Sequence, residues 1–103
     1  MKEFRILNIA ENFINETNER VLILQLAEIK YGITLPSGRQ TYTFDVKGEE
    51  FVCKYSERFL NELIEKSNNQ EIITFNMMDF EIQYIRDVYG NQKRLYYSNN
   101  LKK

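Results

Sequence analysis

The stretch that decides the fold is Glu49–Lys66, EEFVCKYSERFLNELIEK, which lies between two segments typical of β-hairpins. Its polar residues fall on one side of a helical wheel, and acidic residues at the start suit the helix dipole. The opposite face is apolar and consists of Phe51, Val52, Tyr55, Phe59, Leu60, Leu63 and Ile64. We therefore predict an amphipathic helix over residues 49–66, with strands on both sides.

Before this helix, the pattern of apolar residues predicts three strands. The first covers Phe4–Ile14 and is followed by a polar turn at 15–19. The second covers Arg20–Leu35, where β-branched content and alternation favour a strand. A helix over Glu19–Tyr31 is the competing interpretation, which the sequence does not exclude. The third strand covers Gln40–Val46.

After the helix, three more strands are predicted, at Glu71–Phe75, Phe80–Val88 and Lys93–Ser98. Tyr89–Gln92 joins the last two as a hairpin turn, since glycine and asparagine suit such turns. The polar tail at 99–103 is expected to fray.

Together these elements predict one α+β domain over residues 1–103. Its sheet is expected to be an antiparallel sheet or a partly open barrel of five to six strands, with one amphipathic helix. The order β-β-β-α-β-β-β resembles the connectivity of an OB-fold barrel, which many unrelated small proteins share.

Composition narrows the classes of function. The chain carries a net charge of −1, so no global positive field attracts nucleic acid. Its single cysteine fits a reducing compartment, and no stretch has the roughly 20 apolar residues of a membrane span. We expect a cytoplasmic protein without a membrane partner. Small size and a bias toward Asn, Ile and Lys are common in phage and mobile-element proteins.

The chain has no histidine, which removes the commonest general base and zinc ligand. Cys53 has no visible partner base and is expected to be a core residue. Glu81 and Asp87, six residues apart, share a strand face but are expected to be solvated. We predict no catalytic residues, no metal and no cofactor, and therefore no enzyme.

Two clusters of aromatic and basic residues are candidates for binding. The C-terminal hairpin carries Arg86, Tyr89, Arg94 and Tyr96, residue types that dominate protein–protein interfaces. The leading hypothesis is therefore an accessory or inhibitory protein that binds another protein through this hairpin. The alternative is single-stranded nucleic-acid binding, in which bases stack on a face made of Lys30, Tyr31, Arg39 and Tyr42. The sequence decides neither the oligomeric state nor which tyrosines face solvent.

Overall fold

The computed structural model describes residues 1–14 and 19–98. Most of the predicted polar turn at 15–19 and the whole predicted tail at 99–103 lie outside the described residues. The strands are β1 (Lys2–Ile14), β2 (Glu19–Glu28), β3 (Lys30–Thr34), β4 (Gln40–Thr43), β5 (Glu49–Lys54), β6 (Ile72–Phe75), β7 (Glu81–Arg86) and β8 (Gln92–Ser98). Helix α1 spans Glu57–Asn68, and a short 3₁₀ turn spans Met77–Asp79.

The strands form two sheets. Six of them make the main sheet in the order β6-β1-β2-β5-β8-β7, and β3 pairs with β4 in a separate hairpin. All neighbouring strands are antiparallel except β5 and β8, which run parallel. Within the main sheet the chain order is again β-β-β-α-β-β-β, but its third strand is β5, which was predicted as helix. The third strand predicted at Gln40–Val46 ends at Thr43 and is β4 of the separate hairpin. The α+β class with a partly open sheet is thus confirmed, and the β3–β4 hairpin is inserted between the second and third strands.

The prediction of a helix is wrong for its first third. Residues Glu49–Lys54 are a central strand, and the helix begins only after Ser56, whose hydroxyl accepts a hydrogen bond from the Phe59 N–H at 3.2 Å. Phe51 and Cys53 point to the same side, as a strand requires, while Phe51 and Tyr55 also match a helical spacing. The spacing of apolar residues at 51–55 fits both a strand and a helix, and the capping serine determines where the helix starts.

The predicted strand at Arg20–Leu35 is two strands in different sheets. The interpretation of residues 20–31 as strand is confirmed over the competing helix. However, the buried positions change phase: Leu24 and Leu26 are buried, and then Ala27 and Ile29 are. One strand cannot place both sets on the same face of a sheet. The chain therefore leaves the main sheet after Glu28.

The core lies between α1 and the inner face of the curled sheet. Phe51 is completely buried at its centre and touches the rings of Phe4, Phe75, Phe80 and Tyr96. The two edge strands, β6 and β7, follow each other in sequence and are joined by residues 76–80. This short connection brings the two edges of the sheet toward each other and leaves it partly open between them.

Candidate binding site at the open end of the sheet

One end of the main sheet collects most of the candidate binding residues. The pairings place the start of β1, the end of β2 and the start of β5 at this end. The β3–β4 arm (residues 30–43) leaves the sheet here, and so does the β7–β8 turn (residues 87–91). The two sets of residues that the sequence assigned to rival functions therefore project from the same end.

A pocket of about 430 Å³ opens at this end, and we call it the mouth pocket. That volume lies in the range of small-molecule and side-chain pockets, which often occupy the mouths of barrels. It lies between the base of the β3–β4 arm and the inner face of the main sheet. Its apolar lining includes Phe4, Leu26, Phe44, Phe51, Met77 and Tyr96.

Two cations at or beside the rim of the mouth pocket are held by carboxylates, whereas Lys30, which also lines the pocket, has no such partner among the described residues. Lys2 lies 3.4 Å from Glu28, and the Arg94 guanidinium donates to Glu49 at 2.9 Å. Both carboxylate side chains line the pocket themselves. The rim is therefore polar but close to electrically neutral, which suits a ligand other than a phosphate chain.

Tyr96 connects the rim to the core. Its ring stacks on Phe51 with centroids 4.8 Å apart, and the Arg94 guanidinium lies 5.5 Å from the centre of the same ring. Burial, together with a hydrogen bond to Glu49, raises the pKa of the Tyr96 hydroxyl. Tyr96 thus lines the pocket, and Arg94 contacts its ring from beside the pocket.

Arg86 and Tyr89 lie further out, at the β7–β8 turn. Tyr89 is 86% exposed, while the Arg86 guanidinium donates to the Gly90 carbonyl at 3.1 Å. Asp87 holds this turn by accepting the backbone N–H groups of Tyr89 and Asn91. The predicted protein-binding residues therefore divide into an exposed pair on the turn and a second pair at the pocket, of which Tyr96 is half-buried and lines it while Arg94 is exposed beside it.

The nucleic-acid candidates occupy the β3–β4 arm. Tyr31 and Tyr42 are directly opposite each other in the hairpin. Their hydroxyls bind side chains of β1: Tyr31 donates to Glu3, which raises the Tyr31 pKa, and Tyr42 accepts from Arg5. The structure brings these two tyrosines together with neighbouring Lys30.

Arg39 lies apart from that group, in the turn at the far tip of the arm. The Leu35 N–H donates to the Arg39 carbonyl at 2.7 Å, which closes the turn. The strand rise of about 3.3 Å per residue places Arg39 roughly 10 Å from Tyr42 along β4. One short segment of nucleic acid would have to run along the arm to reach both.

Glu81 and Asp87 are both exposed, as expected, and they are not brought together. Glu81 begins β7 and accepts from the Gln83 amide, whereas Asp87 caps the turn beyond the other end of the strand. Across residues 1–14 and 19–98, no three His, Cys, Asp or Glu side chains are grouped as metal ligands would be. In the same part of the chain, no helix has the length and apolar character needed to span a membrane.

Several residues of this end were missed by sequence reasoning. Phe44, Phe4 and Met77 line the mouth pocket although they are far apart in sequence. Ile82, Tyr84 and Val88 are strongly exposed near the β7–β8 turn. A signal for the second group was present in the sequence. Apolar residues occur on both faces of β7, with Ile82 and Tyr84 on one and Ile85 on the other, which is unusual for a strand with one face in water.

Comparison with known protein families, with curated proteins and with solved structures gave no significant match. The geometry of this end of the molecule is therefore the basis for assigning a function.

Proposed function

We propose that this chain is a non-enzymatic accessory or inhibitory protein that binds another protein at the open end of its sheet. The observation that carries the proposal is the mouth pocket, which has an aromatic lining and a rim whose Lys2 and Arg94 are already paired with carboxylates. Interfaces of this kind take one large anchor side chain into a dry pocket. A phosphate chain would instead need several unpaired cations, and Lys30 is the one pocket-lining cation without a carboxylate partner among the described residues.

In this proposal the partner inserts an apolar or aromatic side chain between Phe44 and Tyr96. The exposed Tyr89 and Arg86 contact the partner around that anchor, and Arg94 keeps Tyr96 in position. The reduced, buried Cys53 is compatible with action in the cytoplasm, and the size of the chain fits a protein encoded by a phage or mobile element.

The test is selection of binders from a displayed library of short random peptides, using the purified protein as bait. Enriched peptides should share one large apolar residue. Tyr89→Ala and Phe44→Ala should each weaken their binding at least about tenfold, as loss of an anchor contact does. Arg58→Ala is the matched control, because Arg58 is exposed on the helix away from the mouth pocket.

Two results would contradict this function. One is a library that yields no peptide dependent on the folded protein. The other is a set of peptides that bind Phe44→Ala and Tyr89→Ala as tightly as they bind the unchanged protein.

Single-stranded nucleic-acid binding remains a second candidate because of one feature of the β3–β4 arm. Lys30 and Arg39 make no ion pair with a carboxylate in the described part of the chain, and Tyr31 and Tyr42 lie between them. Labelled single-stranded DNA and RNA would then bind with an affinity that falls as salt rises. Lys30→Glu should abolish that binding, and an absence of binding at low salt would remove this candidate.

A further inference from the structure

Strand β7 is an edge that carries charge only at its two ends, at Glu81 and Arg86. It is hydrogen-bonded to β8 on one side and to no described strand on the other. Ile82, Tyr84 and Ile85 are 49%, 61% and 42% exposed, and neither proline, lysine nor a bulge interrupts the strand. Soluble proteins normally place such features on exposed edges to prevent pairing with another chain.

The backbone groups on this edge are directed outward at alternate residues. The Asp87 N–H donates to the Asn91 carbonyl, so this pair is a hydrogen-bonded one. Antiparallel pairs alternate, and therefore Ile85, Gln83 and Glu81 bond to β8. The N–H and C=O groups of Ile82, Tyr84 and Arg86 then point away from β8, where a further strand would meet them.

We propose that β7 pairs antiparallel with β7 of a second copy of this chain, which makes a two-fold symmetric dimer with one continuous sheet. A two-fold axis perpendicular to the sheet places the inner faces of both copies on the same side of the joined sheet. Two directly opposed residues must then both have odd numbers or both have even numbers. The register centred on Gln83 pairs Ile82 of each copy with Tyr84 of the other. Both residues direct their backbone groups outward, as this pairing needs.

Apolar pairing selects this register. With Gln83 on the axis, Ile82 lies opposite Tyr84 at two places and Glu81 lies opposite Ile85, so no like charges are opposed within β7. Centring the pairing on Tyr84 would instead place Ile82 opposite Arg86, which loses both of these apolar pairs. The β-branched and aromatic pairs of the favoured register are those that stabilise neighbouring strands best.

Two exposed apolar side chains flank this edge. Val88 and Met78 are 92% and 90% exposed, more than any other large apolar residue that the structure describes. Each lies two or three residues beyond an end of β7, on opposite sides of its centre. Antiparallel pairing places each end of β7 beside the opposite end of its partner, so both side chains lie near the junction between the two copies.

Analytical ultracentrifugation of the full chain over a concentration series tests the dimer. We expect a monomer–dimer equilibrium with a dissociation constant on the order of micromolar, since a single edge pairing buries a small interface. Ile82→Lys should weaken it at least tenfold. The matched control is Ile33→Lys, which makes the same change at a position 73% exposed on the β3–β4 arm.

A proline distinguishes strand pairing from contact between side chains. Tyr84→Pro removes an outward N–H that β8 does not use, which an edge strand tolerates. It should weaken the dimer more than Tyr84→Ala does. Equal effects of the two substitutions, or a protein that stays monomeric at every concentration, would overturn the proposal.

The register has its own test. In the proposed dimer the two Gln83 residues are directly opposite, at a distance a disulfide can bridge. Gln83→Cys should therefore give a disulfide-linked dimer on mild oxidation. Ile85→Cys, on the same face but about 14 Å from its symmetry mate by strand rise, should not. Crosslinking of Ile85→Cys in preference to Gln83→Cys would reject this register. Because these tests use no partner, they fail or succeed independently of the proposed function.

Discussion

Cys53 lies fully buried in the central strand β5, and burial raises the pKa of its thiol to about 12. In the unfolded chain the same thiol ionises near 9.0. Below pH 9 the thiol is neutral in both the folded and the unfolded chain, so it does not make stability depend on pH there. Above it, ionisation favours the unfolded chain, so stability is lost as the pH rises toward 12.

We therefore expect Cys53→Ala to flatten the alkaline loss of stability. Between pH 7 and pH 10 the unchanged protein should lose about 1.4 kcal/mol more unfolding free energy than the variant, one pKa unit's worth. Urea unfolding at both pH values measures this difference. The comparison is needed because raised pKa values at Tyr55 and Tyr96 act in the same range in both proteins. Identical pH dependence would show that the thiol ionises without unfolding.

Two glycines allow the cost of backbone strain to be measured separately from the cost of a steric clash. Gly48 and Gly38 both have positive φ, at +62° and +84°. A Cβ at Gly48 would lie 2.7 Å from the Leu26 carbonyl oxygen, whereas one at Gly38 would meet nothing within 4 Å. Alanine at Gly38 therefore costs backbone strain alone, whereas alanine at Gly48 costs both backbone strain and a steric clash.

Gly38→Ala should lower the unfolding free energy by about 1–2 kcal/mol, the cost of the left-handed conformation. Gly48→Ala should lower it clearly further, since the contact is with backbone in the main sheet and cannot be relieved by a side-chain rotation. Denaturant unfolding of both variants gives the difference. Equal losses would mean that the strand ends move apart freely at the mouth pocket.

Residue burial could be predicted from the sequence only in part. That Cys53 is a core residue is confirmed, although it lies on a strand rather than on the predicted helix. The orientation of the C-terminal tyrosines could not be predicted, because alternation divides them between faces without saying which face is inner. Tyr96 proves to stack on Phe51, while Tyr84 and Tyr89 face solvent.

At the scale of elements, Ser56 marks the boundary that the apolar pattern obscured. The apolar spacing of Phe51–Tyr55 fits both a strand and a helix. The periodicity alone therefore predicted a helix that begins two turns too early. The phase change at Leu26–Ala27 divided the second predicted strand in a similar way. In both cases the type of the longer part was predicted correctly, and only a local signal showed where it ended.

Ser56→Ala should therefore destabilise the protein by about 1 kcal/mol, because the Phe59 N–H loses its acceptor at the helix start. Ser37→Ala in the exposed turn of the β3–β4 arm is the control and should change stability by less than about 0.5 kcal/mol. Thermal unfolding followed by circular dichroism compares the two. A loss at Ser37 equal to that at Ser56 would remove the cap as the explanation.

At the scale of the molecule, the curled sheet depends on one aromatic centre. Phe51 touches rings from β1, from β6, from the connection at 76–80 and from β8. A sheet of five to six strands with one helix was predicted from the order of elements, but with Gln40–Val46 in the place that β5 occupies. The parallel pairing of β5 with β8, and the meeting of both candidate clusters at one end, depend on strand order, which apolar patterns do not encode.

Phe51→Ala should cost about 3–5 kcal/mol, a large share of the 5–15 kcal/mol that holds a domain of this size together. We expect it to lower the melting temperature sharply while Ile33→Ala, exposed on the β3–β4 arm, leaves it almost unchanged. Differential scanning calorimetry provides both values. Similar melting temperatures for the two variants would show that the aromatic centre is not what joins the strands.

The place of β8 in the sheet has a consequence for how the chain matures on the ribosome. Synthesis runs from the amino end, so β5 emerges well before the strand that covers its open side. Until residues 92–98 have left the exit tunnel, Phe51 lacks the ring of Tyr96, and the central strand is itself an unpaired edge. The nascent chain therefore carries its most aggregation-prone surface at its centre, and β8 removes that hazard only after translation has passed it.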